Sequence, residues 1–313
     1  MYNSLTMSLT VKEIITLSSL FGVASKKIYR VAESQGGDLL RRVNSCGLTV
    51  RENAKNVEVT ASHLDEAYMR AEKIMRRSEE LGIGFLSYYD DAYPELLRGT
   101  ISERGELTPP LLLYTKGDLS ALNQPCLTIA GTRTPSEEGA KASAYFAREF
   151  VKEGFCIVSG LALGCDSAAH RGALDAKGRT VALMAHGLDI VMPPENKGLA
   201  AEIVDAGGLL LSEYPVGMPY SKFSFISRDR LQAGISLSTI VVQTNVEGGS
   251  MHVSNCTLKA GKPLFTTYFK DERTRSLAVS AGNDFLVRQG ARYLRGEDDL
   301  HLVAQSVLEG RTL

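Results

Sequence analysis

Residues 1–84 place apolar side chains three to four positions apart, which is the spacing of amphipathic helices. Gly36 and Gly37 interrupt this pattern, and Ser25 and Ser62 stand where helix N-caps are expected. The pattern therefore predicts a small all-helical N-terminal domain. Its helical stretches are VKEIITLSSLFG, SKKIYRVAES, GDLLRRV and SHLDEAYMRAEKIMRRSEELG.

The pattern changes after Pro125 to short, continuous apolar runs separated by helix-like stretches. Continuous runs of Val, Ile and Leu indicate strands that are buried on both faces, as in a parallel sheet covered by crossover helices. The sequence therefore predicts a doubly wound, mostly parallel α/β domain. The apolar runs are CLTIAG, FCIVSG, RTVALMAHG, GLLLSEYP, STIVVQT and KPLFTTYF.

Two segments border this predicted sheet domain, which spans residues 122–296. Before it, residues 85–121 contain Pro109 and Pro110, which end any helix and force an extended backbone. We interpret this segment as a linker and edge element. After the sheet domain, residues 297–313 are predicted to form a short C-terminal helix.

The composition limits the partners that the protein can have. With 35 basic and 36 acidic side chains the net charge is −1, so affinity for a nucleic acid must come from local clusters of Lys and Arg. No apolar stretch reaches the roughly 20 residues that span a bilayer, and no signal peptide is recognisable, so a cytoplasmic protein is expected. Because the cysteines form no Cys-x-x-Cys pair and the histidines are scattered, no metal site is predicted.

Ligands of such sheets bind beyond the carboxyl ends of the strands, where loops and helix N-termini converge. The first candidate loop consists of Gly131, Thr132 and Arg133. A glycine there lets the backbone approach a ligand, the next helix would direct free amides at an anion, and the guanidinium of Arg133 suits phosphate. The alternative is a plain turn with an exposed arginine, and the loop on its own favours that alternative.

The second candidate loop begins with Ser159 and Gly160, whose hydroxyl and amides could bind phosphate without any chemistry. Further along, Gly164 permits a tight turn, and Asp166 is placed to cap the next helix, with His170 one turn later on the same face. We predict that these three residues support the loop through capping and an orienting hydrogen bond. A catalytic Asp–His pair is the alternative, but no G-x-S-x-G nucleophile elbow accompanies it.

The third candidate segment, YSKFSFISRDR at residues 220–230, interleaves cations with aromatic rings. That mixture suits an unpaired nucleic-acid strand, because cations contact its backbone while rings stack on its bases at about 1–3 kcal/mol each. In the alternative interpretation, the aromatic residues belong to the core and the arginines to a solvated helix face. The candidate ligands are Lys222, Phe225, Arg228 and Arg230.

The fourth candidate loop, EGGS, ends in Gly249 and Ser250, and its amides would open a helix that could receive an anion. A turn followed by a serine cap is an equal alternative. The chain contains neither a G-x-x-x-x-G-K-[ST] loop nor a G-x-G-x-x-G fingerprint. Ordinary ATP hydrolysis and dinucleotide redox chemistry therefore lose support.

Six motifs in this order resemble the DNA-processing protein A (Smf/DprA) family over about residues 85–295. The resemblance implies an extended Rossmann-like domain that binds single-stranded DNA and helps to load the RecA recombinase in natural transformation and recombination. It also implies a homodimer with no cofactor and no catalytic reaction. The motifs are GTR, IVSGLALGCDSAAHRGAL, HGLDIVMPPEN, GLLLSEYPVG, FISRDRLQAGIS and GGS.

Individual positions follow from this resemblance. Arg133 matches the arginine of the family's G-S-R loop, with Thr132 keeping a hydroxyl, and Ser159 and Gly160 match its S-G-L segment. Asp229 stands where the F-x-x-R-N-R segment has asparagine, which places a carboxylate beside the phosphate site and should weaken binding locally. The other matched positions are Asp166, His170, Phe225, Arg228 and Arg230.

A second class of function is a nucleotide-derivative sensor or a phosphoribohydrolase-like enzyme of the same broader superfamily. Such enzymes resemble this chain near a P-G-G-x-G-T-x-x-E segment, close to Gly248 and Gly249. The positions that would need a carboxylate are residues 251–255, with the sequence MHVSN. A third possibility is a scaffold that only joins partners. The presence of several cations near one pocket disfavours it.

Overall fold

The computed structural model of the chain describes residues 9–23, 25–34, 36–295 and 297–310. Its N-terminal part contains four helices, and the residues before them, Thr10, Ser25, Asp38 and Thr60, cap their first turns through side-chain oxygens. The predicted cap at Ser25 is thus confirmed. The helices are α1 (Val11–Phe21), α2 (Lys26–Glu33), α3 (Leu39–Ser45) and α4 (Ala61–Glu80).

The predicted N-cap at Ser62 is wrong, because the N-cap of α4 is Thr60, two residues earlier. The hydroxyl of Thr60 accepts a hydrogen bond from the His63 backbone, and Nδ1 of His63 accepts one from the Thr60 backbone at 3.1 Å. This reciprocal pair closes the helix start. Ser62 therefore lies inside the helix.

The N-terminal part also contains an antiparallel hairpin, so it is not all-helical as predicted. β1 (Thr49–Glu52) pairs with β2 (Lys55–Glu58) between α3 and α4. Asn53 and Ala54 form the two-residue turn in the left-handed region, with φ of 47° and 64°. These strands escape a sequence-based prediction because most of their side chains are exposed and the turn lacks an Asn-Gly pair.

One large sheet organises the rest of the described chain. From one edge to the other its order is the eleventh, tenth, ninth, fifth, sixth, seventh, eighth, fourth and third strand. The first seven strands of that order run parallel, and the last two add an antiparallel edge. The strands are β3 (Gly84–Ser87), β4 (Leu112–Gly117), β5 (Cys126–Ala130), β6 (Cys156–Ser159), β7 (Thr180–Met184), β8 (Leu209–Ser212), β9 (Ser238–Val241), β10 (Leu264–Thr267) and β11 (Arg292–Leu294).

This topology confirms the predicted Rossmann-like, mostly parallel α/β fold. The six apolar runs of the sequence correspond to β5 through β10. The edge strands β3 and β11 and the strand β4 next to β3 have no counterpart among these predicted runs. The segment 85–121 contains most of β3 and all of β4, at the antiparallel edge of the sheet.

Helices cover both faces of the sheet. Leu127 and Ile129 of β5 face a cluster formed with residues of the sixth, seventh and thirteenth helices, whereas Cys126 contacts the cluster that contains Leu231 and Ile235 of the ninth. Burial on both sides explains the continuous apolar runs. The helices are α5 (Glu95–Arg98), α6 (Glu137–Lys152), α7 (Cys165–Asp175), α8 (Lys197–Asp205), α9 (Lys222–Ile235), α10 (Ser250–Lys259), α11 (Glu272–Arg275), α12 (Ala281–Arg288) and α13 (Glu297–Leu308).

The N-terminal helices pack on the antiparallel side of the sheet. Ile14 of α1 and Ile28 of α2 belong to one buried cluster with Leu112 and Tyr114 of β4. None of the helices in the described ranges is long and apolar enough to cross a membrane.

The strand order reverses at β5. From β5 the chain continues to β6, β7 and β8 on one side and then returns to β9 on the other side, so that β5 and β9 are neighbours. The loops that leave these two strands therefore diverge. In open α/β sheets such a reversal forms the crevice in which ligands bind.

Candidate nucleic-acid interface

A cleft of about 680 Å³ opens at the carboxyl ends of β5 and β9, where the strand order reverses. Its walls come from the loops after β5, β6 and β9 and from the first turns of α9 and α10. Most of the residues that the sequence suggested as ligands line this cleft. They are Gly131, Thr132, Arg133, Lys222, Phe225, Arg228, Gly249 and Ser250.

Helix α9 places the exposed Lys222 at the mouth of the cleft and the buried Arg228 on its floor. Ser221 and Ser224 cap its start reciprocally, since each side-chain oxygen accepts the backbone N–H of the other at 3.0 and 2.7 Å. Lys222, Phe225 and Arg228 then follow at three-residue intervals, which places them along one side of the helix.

Arg133 and α9 contact each other through an aromatic ring. The guanidinium carbon of Arg133 lies 5.1 Å from the ring centroid of Phe225, and the ring of Tyr220 lies 5.8 Å from the same centroid. Arg133 forms no ion pair with a carboxylate in the part of the chain that the structure describes. The arrangement thus holds an unpaired cation over Phe225, whose ring contacts Tyr220, a residue that is 48% exposed.

Arg228 is buried below this group, with only 5% of its surface exposed. Its Nη1 donates to the carbonyl of Leu183 at 3.2 Å, and its Nε lies 3.2 Å from Oδ1 of Asp229. No acceptor satisfies that Nε with good hydrogen-bond geometry among the described residues. A buried guanidinium with spare donors at the floor of a cleft can receive an anion.

Two buried carboxyl groups lie beside Arg228. Burial raises the pKa of Asp166, against the opposing charge of Arg228. Burial likewise raises the pKa of Asp229 to about 6, with Asp166 and Glu103 adding to the rise and Arg228 and His252 opposing it. The positive charge of the cleft floor is therefore partly compensated by its own acids.

The start of α10 contributes backbone amides. Its N-cap residue, Gly249, has no side chain, and no other side chain of the described residues caps this helix. The hydroxyl of Ser250 donates to Oγ1 of Thr244 at 2.7 Å and is therefore directed away from the cleft. Gly249 and Ser250 can therefore donate backbone amides to an anion at this helix N-terminus, where the helix dipole stabilises negative charge.

Three predicted ligands do not line the cleft. The hydroxyl of Ser159 is fully buried and donates to the carbonyl of Ile129 at 2.6 Å, and Gly160 packs directly against Arg228. Arg230 is buried in a bidentate ion pair with Glu213, at 2.8 and 2.7 Å. Gly160 therefore acts on the cleft through Arg228, whereas the partners of Arg230 lie outside the cleft lining.

The supporting roles predicted for the second loop differ in detail. Asp166 does not cap α7 as predicted, because Gly164 is the N-cap and Oδ2 of Asp166 accepts the amides of Gly160 and Ala162 at 3.1 and 3.4 Å. It closes the loop instead. His170 pairs through Nδ1 with Oγ1 of Thr180 at 2.7 Å rather than with Asp166, and burial lowers its pKa to about 3, so it is neutral.

Several further residues line the cleft that no sequence motif indicates. His252 lines it and is held by Glu103, whose Oε1 lies 2.7 Å from Nδ1 of the imidazole. Asn245 and Gln232 also line it. No local signal identifies the pair of His252 and Glu103, because 149 positions separate the two residues along the chain.

The fold and the cleft together define a class: Rossmann-like α/β proteins whose switch-point cleft combines cations, aromatic rings and open amides for an anionic ligand. A model of the DNA recombination-mediator protein A family matches residues 84–304. The chain belongs to this family.

Relatives by sequence have the names of this family. The Smf protein of Synechocystis is 34% identical over 220 residues, which cover 69% of this chain and 52% of that protein, so the chain spans about half its length. The DNA processing protein DprA of Streptococcus pneumoniae is 33% identical over 214 residues, which cover 68% of this chain and 72% of that protein. DprA of Bacillus subtilis is 29% identical over 255 residues, with 80% and 82% coverage.

Solved structures agree with these relatives. The X-ray structure of DNA processing protein A from Streptococcus pneumoniae has a TM-score of 0.74 at 27% identity and covers 98% of this chain and 100% of its own. The Helicobacter pylori protein, whose structure was described for its single-stranded DNA binding mode, has a TM-score of 0.60 at 30% identity, with 74% and 97% coverage.

Proposed function

We propose that this protein binds single-stranded DNA in the switch-point cleft and acts in DNA processing without catalysing a reaction. The observation that carries the proposal is the guanidinium of Arg133 over the ring of Phe225, in the same cleft as Lys222 and Arg228. The binding mode described for the Helicobacter pylori relative supports it. In this assignment Arg133 and Lys222 contact phosphates, and Arg228 fixes the strand at the floor.

The rings favour a single strand over a duplex. Tyr220 is 48% exposed, and Phe223, which immediately follows Lys222 in α9, is 83% exposed. An aromatic ring can stack only on a base that is not already stacked between base pairs, and each such contact contributes about 1–3 kcal/mol. Because the net charge is −1, the affinity must come from this cleft rather than from the field of the whole molecule.

Fluorescence anisotropy with single-stranded and duplex oligonucleotides over a range of salt concentrations tests the proposal. We expect the protein to prefer the single strand. The logarithm of the binding constant should fall linearly with the logarithm of the salt concentration, with a slope of about −0.7 for each phosphate contact. Arg133→Ala should weaken binding to all sequences alike and flatten that slope. Arg51→Ala removes the same charge from the exposed hairpin and serves as the control. An unchanged affinity and slope for Arg133→Ala would contradict the assignment.

We further infer that the protein acts in the cytoplasm as a homodimer and passes its DNA strand to a RecA-type recombinase, in recombination or transformation. Membership in a family of recombination mediators supports this partner. The experiment is the ATPase activity of a recombinase on single-stranded DNA covered by a single-strand-binding protein. Stimulation by this protein, and its loss in Arg133→Ala, is the expected result, whereas no stimulation by the intact protein would contradict the partner.

One observation favours a second candidate, a nucleotide-ligand enzyme. The imidazole of His252 lines the cleft and is oriented by Glu103, as a general base often is by a carboxylate. The hydrolase motif requires a carboxylate after its glycines, and residues 251–255 contain neither Asp nor Glu. Incubation with nucleoside monophosphates separates the two functions. Release of free base would overturn the binding role as the sole function, and its loss in His252→Gln would locate the chemistry.

A further inference from the structure

We propose that Tyr268, Arg275 and Arg295 form a second contact for the same DNA strand, outside the cleft but at the same edge of the sheet. We call these three residues the edge platform. The inference rests on the proposed function and extends it, since it lengthens the strand that one molecule covers. The ligand it would take is a phosphodiester backbone with an unpaired base beside it.

The edge platform is built on the ends of two paired strands. Tyr268 directly follows β10 and Arg295 directly follows β11, and the Tyr268 N–H donates to the Leu294 carbonyl at 3.0 Å. The guanidinium carbons of Arg275 and Arg295 lie 5.2 and 5.7 Å from the ring centroid of Tyr268. The ring of Tyr293 contacts it edge-on at 5.3 Å. A ring and two cations are thus gathered at one point.

Among the side chains that the structure describes, no carboxylate pairs with the charges of the edge platform. Neither Arg275 nor Arg295 forms an ion pair with a carboxylate within the described ranges. Nη1 of Arg275 donates to the backbone carbonyls of Phe269 and Lys270 at 2.7 and 2.8 Å, which fixes its position without neutralising it. Because both guanidiniums lie beside the same ring, an anion bound there would interact favourably with both.

Three acids near the edge platform, among the side chains that the structure describes, hydrogen-bond to other groups. Asp284 accepts the hydroxyl of Tyr293 at 2.5 Å, and Asp299 accepts the backbone N–H of Arg295 at 2.8 Å. Asp271 caps α11 by accepting the Thr274 N–H at 2.8 Å. Each of these three carboxylates therefore accepts a hydrogen bond from the backbone or a tyrosine and not from Arg275 or Arg295, whose guanidiniums can donate to a ligand.

The edge platform and the cleft lie on neighbouring strand ends. β9, β10 and β11 are adjacent and parallel, so the carboxyl ends of β9 and β11 are two strand spacings, or about 10 Å, apart. Thr244, which follows β9, bonds to Ser250 of the cleft and to Asn283 of α12, a helix that packs beside β10. A strand that leaves the cleft beside β9 therefore has to run on the order of 10 Å along the sheet edge to reach the edge platform.

Affinity as a function of oligonucleotide length tests this inference. The probes are fluorescein-labelled oligo-thymidines of about 3 nucleotides, too short to occupy the cleft and the edge platform together, and of about 20 nucleotides, which exceeds the usual site sizes. We expect Tyr268→Leu and Arg295→Ala to leave the affinity for the short oligomer unchanged and to weaken the long one by about fivefold. Arg295→Ala should also flatten the salt slope of the long oligomer by about 0.7. Tyr268→Phe keeps the ring and should bind as the unaltered protein does, as should Arg51→Ala.

The outcomes separate this inference from the proposed function. If the unaltered protein binds neither oligomer, the proposed function fails. If it binds both while Tyr268→Leu and Arg295→Ala bind the long oligomer as tightly as the unaltered protein, only the edge platform is overturned. An equal loss for both lengths also overturns it, because the defect would then lie in the cleft. Light scattering of Tyr268→Leu is measured in parallel, and dissociation of an oligomer without any change in DNA affinity would assign this surface to a second copy of the chain instead.

Discussion

Gly160 and Arg228 are in such close contact that a Cβ added at position 160 would lie 1.4 Å from Nη1 of the arginine. The loop after β6 therefore holds the guanidinium against the cleft floor. The same Nη1 donates to the carbonyl of Leu183 at 3.2 Å. Gly160 thus acts on the cleft through Arg228 and needs no contact with DNA, although the sequence suggested it as a direct ligand.

Gly160→Ala should weaken binding of single-stranded DNA about tenfold, because it displaces a guanidinium whose charged hydrogen bonds contribute about 1.5–3 kcal/mol. In a double-mutant cycle, Arg228→Ala and Gly160→Ala should be strongly non-additive, since both remove the same contact. Gly198→Ala is the matched control, because the nearest atom to its Cβ is 4.0 Å away. Additive losses of affinity would show that Gly160 acts independently of Arg228.

Arg230 should act on stability rather than on DNA affinity. Its ion pair with Glu213 is bidentate, at 2.8 and 2.7 Å, and both residues are buried. Removing one partner leaves an uncompensated buried charge, which destabilises by about 3–5 kcal/mol. We expect Arg230→Ala and Glu213→Gln to lower the free energy of unfolding in urea by amounts of that order.

An unchanged urea midpoint for Arg230→Ala, together with weaker DNA binding and a flatter salt slope, would instead support its predicted role as a ligand. A variant with Arg230→Met and Glu213→Leu together offers a further check. It removes both charges and should recover most of the stability that either single variant loses.

Binding should strengthen as the pH falls through about 6. Asp229 has its pKa raised to about 6 by burial, so acidification removes a negative charge next to Arg228. Phosphate binding beside it favours the protonated form further, so binding takes up protons in this range. Because the folded-state pKa exceeds the ordinary 3.8, the folded state also binds more protons than the unfolded chain between about pH 4 and 6. The contribution of Asp229 to stability therefore falls as the pH rises through that window.

Asp229→Asn isolates this effect. It should raise the affinity at neutral pH by a few fold and remove most of the dependence on pH between about 5 and 7.5. His252→Gln, measured over the same range, separates the contribution of the imidazole that also lines the cleft. If the affinity of Asp229→Asn rises with acidification as steeply as that of the unaltered protein, another group is responsible.

The parts of the fold that the sequence predicts are those in which local pattern and tertiary environment agree. β5 to β10 are buried on both faces, so their apolar runs are continuous and unambiguous. β11 has three residues, and the hairpin β1–β2 is mostly exposed, so neither has a period that can be recognised. Whether a residue lies in an edge strand depends on its neighbours in space.

The site residues also divide into those that a local sequence pattern indicates and those whose position depends on tertiary packing. Arg133, Lys222 and Phe225 could be placed near a ligand because each stands directly after a strand end or at a helix start. The burial of Arg230 in α9 could not be predicted, since its partner, Glu213, directly follows the strand β8 and no local pattern links the two. The cation and aromatic content of a segment is visible in the sequence. The direction in which each side chain points is set by tertiary packing.

Lys262 should control the C-terminal end of α9, the helix that presents Phe225 and Arg228. Its Nζ donates to the carbonyls of Ala233, Gly234 and Ser236 at 2.7–2.8 Å, where the helix ends. A cation at that end satisfies the last carbonyls and the helix dipole. Lys262→Met should therefore lower the free energy of unfolding by about 2–3 kcal/mol and speed hydrogen exchange in the last turn of α9. Lys259→Met, an exposed neighbour, should leave both unchanged. If the two variants unfold at the same urea concentration, the helix end is stable without this cation.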